Sequence, residues 1–123
     1  MGTLTRSSLR WTTAAWIALV VTLSLQPVRL RSTIRGTVGH VLLHLAMFGF
    51  AAAGPLLLSG NWVQESARAA YVFCLAAGIE TAQRLIYSHH TEWWDFEIDA
   101  VGILTAFVAI RFWRIRRQWA ERR

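Results

Sequence analysis

Charge is scarce in this chain, and lysine is missing altogether. Only 16% of its 123 residues are charged, against about 25% in soluble globular proteins. All 13 basic residues are arginine. Cysteine occurs once, at Cys74, which excludes an internal disulfide and reads as a packing residue within an apolar stretch. The two prolines, Pro27 and Pro55, fall late in or just after apolar stretches, where a missing N–H ends or kinks a helix. There is no internal repeat, soluble domain or low-complexity linker. No groove-reading motif accompanies the net charge of +6, so nucleic acid is not the expected partner. No recognisable nucleophile motif is present either.

What the chain has instead is apolar length. Hydrophobic residues make up 54% of it, concentrated in four stretches at about 11–26, 38–58, 69–86 and 94–113. A spanning helix needs roughly 17 to 25 residues, so the first stretch has to borrow from its flanks. The predicted fold is all-α, a four-helix transmembrane bundle forming one domain over 1–123 with a basic tail at 114–123. Arg6 and Arg10 before the first stretch resemble a secretory signal, but Ser24-Leu25-Gln26-Pro27 offers no small-residue cleavage pair, and the segment reads as a signal anchor.

The arginines orient this bundle. Arg6, Arg10, Arg68, Arg111, Arg114, Arg116, Arg117, Arg122 and Arg123 fall on one side, and Arg29, Arg31, Arg35 and Arg84 on the other. The positive-inside rule then makes both termini cytoplasmic. The C-terminal arginines, with Trp113 and Trp119 among them, read as a juxtamembrane anchor for anionic headgroups. Trp11, Trp62 and Trp113 fall at the inner boundary and Trp93 and Trp94 at the outer one, while Trp16 fits neither belt and is expected to face a neighbouring helix.

Connections follow from composition. An outer loop is expected over 28–39, a turn at Ser59-Gly60-Asn61, an inner connection over 61–68, and a short outer turn from Tyr87 to Trp93 that contains His89 and His90. Small residues four apart, Gly78 with Ala82 and Gly102 with Ala106, predict close approach of the third and fourth helices.

Inside these stretches stand ionisable groups, which in hydrocarbon suggest a functional site. Glu80 lies about six residues, roughly 9 Å, below the outer end of the third stretch. Asp95 is at the outer mouth of the fourth and Asp99 about one turn deeper. His40 and His44 occupy the same two depths on the second. Glu80, Gln83, Arg84 and Tyr87 share one helical face, as do Asp95, Asp99 and Gly102, and His40 and His44. Glu97 points away from both aspartates. The expected cluster is His44, Glu80, Gln83, Arg84, Asp95 and Asp99, with Arg84 pairing to Glu80 or reaching Asp95 or Asp99. His44 is expected to bond Glu80 or Asp99. His40 and His44 near the two aspartates also have metal-ligand chemistry. A lone His-x-x-x-His arises often by chance, and neither metal nor cofactor is assigned.

These residues resemble the VanZ-like family of small bacterial membrane proteins. The resemblance rests on Ser24-Leu25-Gln26-Pro27 at the end of the first helix, His44 with Phe48 one turn on, Glu80-Thr81-Ala82-Gln83 in the third, and Asp95, Asp99 and Gly102 opening the fourth. It covers nearly the whole chain. Three positions depart from it: His40-Val41 replaces an Asp-Lys pair, His89 replaces an arginine, and Asp99 replaces the usual asparagine. The family is named for a protein linked to reduced glycopeptide susceptibility, so the resemblance implies a multi-pass protein of the bacterial inner membrane acting at the cell envelope.

Three roles for the cluster remain open on the sequence. It can be an interhelical network that fixes packing, each bond adding about 0.6 kcal/mol on average. It can bind a membrane lipid or lipid-linked headgroup. It can belong to a hydrolase or transferase acting on such a substrate, with Glu80 or Asp99 as general acid or base. The alternative to a site is a non-catalytic bundle that assembles with another membrane protein of the envelope.

Overall fold

The computed structural model describes residues 6–26, 38–87 and 93–123. Over these residues the chain is all-helical: α1 runs Arg6–Ser24, α2 Val38–Leu57, α3 Trp62–Tyr87 and α4 Trp93–Glu121. The all-α class and the four helices stand as expected. On length and hydropathy one of the four, α2, qualifies as a membrane span. The loop carrying Arg29, Arg31 and Arg35 and the turn carrying His89 and His90 lie outside the described residues.

Helix boundaries differ from the hydropathy reading at polar ends. Residues 62–68, expected as a connection, form the first turns of α3. Asn61 caps that start: its Oδ1 accepts the Gln64 N–H at 2.9 Å, and Gln64 Oε1 accepts the Gly60 N–H at 2.8 Å. Such caps satisfy backbone donors without needing apolar residues, so hydropathy passes over them. α4 likewise continues through the basic tail to Glu121, with Arg117 and Glu121 paired one turn apart.

α2 is the central helix, packed against each of the other three and most extensively against α4. Its buried residues His40, His44, Met47, Phe48, Ala51, Ala52 and Leu56 recur at helical spacing. They join Val20 of α1, Val72, Ala76 and Ile79 of α3 and Ile103 of α4 in one core. α1 crosses α2 with Trp16 against it, the indole N–H donating to the Met47 carbonyl at 3.1 Å and the ring meeting Phe50 edge-on. Trp16 thus faces a neighbouring helix, as expected.

Close approach occurs at other helix pairs than the small-residue pattern suggested. A Cβ on Gly102 would stand 2.7 Å from the Leu45 carbonyl oxygen and 3.2 Å from the Gly49 nitrogen, so Gly102 marks the crossing of α4 with α2, not with α3. Gly54 lets α2 approach Thr13 of α1. Gly78 has nothing within 4 Å of the same point. Cys74, expected in the packing, is exposed on α3. Spacing identifies small residues; only the neighbouring helix decides which of them meets a backbone.

Candidate functional site

At the N-terminal ends of α2 and α4 the two helices run parallel and in register. The ring N–H at Nε2 of His40 donates to Asp95 Oδ1 at 2.8 Å, and the ring N–H at Nδ1 of His44 donates to Asp99 Oδ1 at 2.7 Å. Both pairs span the same separation of 55 residues. One turn of α2 is thus matched to one turn of α4, giving two rungs of a His–Asp ladder. Gly102 lies on the same face of α4 one turn below Asp99, and its missing side chain allows the backbones near enough for side chains this short to meet.

The ladder is dry. Asp99 is 1% exposed, and His40, His44 and Asp95 are also buried. The two imidazoles tilt against each other with centroids 4.5 Å apart, and Phe48 stacks under His44 from the next turn. Asp95 occupies the first turn of α4, where the unsatisfied N–H groups favour a carboxylate. Burial of several ionisable groups is tolerable because each is hydrogen-bonded to a partner of complementary chemistry. His40, His44 and Asp95 also bring one potential ligand atom each to within 4.8 Å of one another.

α3 contributes a second part. Glu80 is buried at 7% exposure. On the same face, the Gln83 side-chain amide donates to the Ser24 carbonyl at 2.7 Å and the Tyr87 hydroxyl to the Leu25 carbonyl at 2.6 Å. These bonds satisfy carbonyls at the end of α1, which the last turn of a helix leaves without internal donors.

No family model, curated protein or solved structure matches the chain. The site therefore has to be read from its own geometry.

Each expected residue has a place in that geometry. Asp95, Asp99 and His44 meet across α2 and α4, and His44 takes Asp99 as its partner. Glu80 and Gln83 are on the inward side of α3. Arg84 departs from expectation: it is exposed, and among the described residues no ion pair joins it to Glu80, Asp95 or Asp99. Helical spacing allowed that pairing, but the aspartates turn toward α2, and histidine takes the place of arginine.

A further buried carboxylate was not singled out by the sequence. Glu65 is 1% exposed at the opposite end of the bundle, where Arg114 and Arg111 donate to its two oxygens. Arg114 also donates to the Leu56 and Leu57 carbonyls, and Arg68 to the Pro55 carbonyl at 2.8 Å. Guanidinium groups thereby cap the C-terminus of α2, where positive charge suits the helix dipole. Two arginines expected in a headgroup anchor belong instead to this internal joint. The available signal was Glu65 four residues after Asn61, a position in the first turn of a capped helix.

Proposed function

We propose that the chain is a multi-pass protein of a bacterial inner membrane, VanZ-like in kind. In this reading α1 to α4 all cross, both termini are cytoplasmic, and the ladder end opens toward the outer leaflet. Its function is to bind or modify an envelope component there, of the class of a lipid-linked headgroup.

The observation that carries this reading is the inverted distribution of polarity. His40, His44, Glu65, Glu80, Asp95 and Asp99 are buried, while Trp11, Phe50, Trp62, Leu85, Leu104, Val108 and Phe112 are among the large apolar side chains left exposed. Val101, Leu104, Val108 and Phe112 make a continuous apolar face on α4. A monomer in water rarely exposes apolar surface on that scale. In hydrocarbon, exposed apolar and internally satisfied polar groups are what the solvent requires. The hydropathy of α1, α3 and α4 is lowered by side chains that face inward or lie at helix ends, so a window average understates the apolar character of their outer faces.

The ladder, with Glu80 and Gln83 on α3, supplies acids, amide and imidazoles at one end of the bundle, the chemistry that headgroup recognition needs. The test is the spectrum of lipids that co-purify with the wild type and with Glu80→Gln and Asp99→Asn. A headgroup site predicts loss of a specific lipid with folded protein retained; an unchanged lipid profile refutes it. A cysteine replacing His89 is expected to be labelled from outside, and a reporter after Arg123 to be cytoplasmic; the opposite pattern overturns the topology.

A second reading, a bundle that assembles with another envelope protein, is favoured by the apolar face of α4. It predicts that partner binding survives both ladder substitutions and fails when Leu104 and Val108 are changed together to bulkier residues.

A further inference from the structure

We propose that His40, His44 and Asp95 bind a divalent transition cation of the zinc class, with Asp99 orienting His44 from behind. This inference concerns the ladder alone and does not depend on the headgroup reading.

The ligand set is the first argument. Two imidazoles and a carboxylate, with no thiolate nearby on either helix, form the nitrogen–oxygen set that borderline divalent cations prefer. One ligand atom from each of the three residues lies within 4.8 Å of the other two, so a single ion can reach all of them after small rotations. The ligands come from the first two turns of two packed helices, and their backbones are held by the crossing at Gly102.

The second argument is the distance now bridged by a proton. His40 Nε2 and Asp95 Oδ1 are 2.8 Å apart. Ligands about 2.0 to 2.1 Å from zinc at the tetrahedral angle stand roughly 3.4 Å apart. Replacing the shared proton by the ion therefore opens this rung by about 0.6 Å, well within side-chain motion. To ligate, Nε2 of His40 gives up its hydrogen, which moves to Nδ1 if the ring is neutral and passes to solvent if the ring is protonated, and either route leaves a neutral imidazole with its lone pair on Nε2.

Asp99 supplies the third argument. It accepts from His44 Nδ1 at 2.7 Å from a position 1% exposed. That bond fixes the ring and directs Nε2 as the ligating atom, the carboxylate–histidine–metal arrangement in which the outer carboxylate also raises ligand basicity. A packing network needs only one such pair to hold two helices. Two pairs one turn apart, with the tilted imidazoles 4.5 Å apart between centroids, concentrate donors where a cation would balance two carboxylates. Three protein ligands leave a fourth position open, the pattern of sites that hold a water or substrate oxygen.

The experiment uses the full chain in detergent micelles, freed of any histidine tag, stripped with a chelator and titrated with Co(II) and then Zn(II). One equivalent of Co(II) is expected to give visible ligand-field bands without thiolate charge transfer, and Zn(II) to displace it. His40→Asn and Asp95→Asn should each weaken binding by more than about 100-fold, and Asp99→Asn by about 10- to 100-fold. A His89→Ala/His90→Ala double variant should bind as the wild type does. No stoichiometric binding by the wild type, binding that survives both His40→Asn and Asp95→Asn, or binding lost with His89 and His90, overturns the proposal. Should a ladder variant fail to fold, the unfolding temperature of the wild type decides: it rises with added Zn(II) if the site exists, and an unchanged value refutes it.

Discussion

Replacing Gly102 by alanine would set a Cβ 2.7 Å from the Leu45 carbonyl oxygen, 3.2 Å from the Gly49 nitrogen and 3.3 Å from the Leu45 Cα. All three obstacles are backbone, so no side-chain rotation relieves them. Restoring an ordinary contact requires α2 and α4 to separate by about 0.5 to 0.7 Å, an overpacking that costs roughly 1 to 3 kcal/mol. The same displacement would carry the His44–Asp99 bond from 2.7 Å toward 3.3 Å, the edge of useful hydrogen-bond length, for about 1 kcal/mol more. Alanine also favours a helix over glycine by about 1 kcal/mol, which masks part of the loss.

Gly78 removes that ambiguity. It lies within α3 with nothing within 4 Å of a new Cβ, so Gly78→Ala should show the propensity gain alone. Unfolding in micelles, followed by tryptophan fluorescence, is expected to place Gly102→Ala below Gly78→Ala by roughly 2 to 4 kcal/mol. Equal stability of the two variants, within about 0.5 kcal/mol, would refute the close crossing and with it the reason the ladder forms.

Other consequences are checked in the same assay. Arg114→Ala removes a partner of buried Glu65 and two donors to the end of α2, and should cost about 3 to 5 kcal/mol. Arg111→Ala, whose side chain is 46% exposed, should cost about 1 kcal/mol or less. Thr13 Oγ1 is buried with no hydrogen-bond partner, so Thr13→Val is expected to be neutral or stabilising by about 1 to 2 kcal/mol, and a clear loss of stability would contradict that environment. Gly54→Ala would place a Cβ 3.0 Å or less from the Thr13 side chain, including its Cβ, and should loosen α1 from α2. Its signature is a change in the emission of Trp16, which bonds across that interface.

Much of the architecture is legible in the residues. Apolar length and the turn at 59–61 predict the number of helices, and Trp62, Trp93 and Trp94 stand exposed in the first turns of α3 and α4. Helical spacing puts His40 with His44, and Asp95 with Asp99 and Gly102, on single faces. The polar start of α3 and the polar end of α4 escape hydropathy because a cap and an i,i+4 pair extend each helix where hydropathy has already fallen. Glu65 was missed because the capped turn that carries it looked like a connection.

Periodicity by itself determined which residues share a face, and composition determined that the faces belong to helices. Neither determines which faces meet. Rotation of a helix about its axis and the choice of its neighbour depend on where backbones can come closest, and here that point is Gly102 against Leu45 and Gly49. The parallel register set there turns Asp95 and Asp99 toward His40 and His44 and leaves Arg84 outside. At the opposite end the same packing draws Arg111, from the end of the fourth apolar stretch, and Arg114, from the start of the basic tail, onto Glu65. Which charge finds which partner is a property of the tertiary structure, because a buried ion takes the partner that packing brings within hydrogen-bond reach.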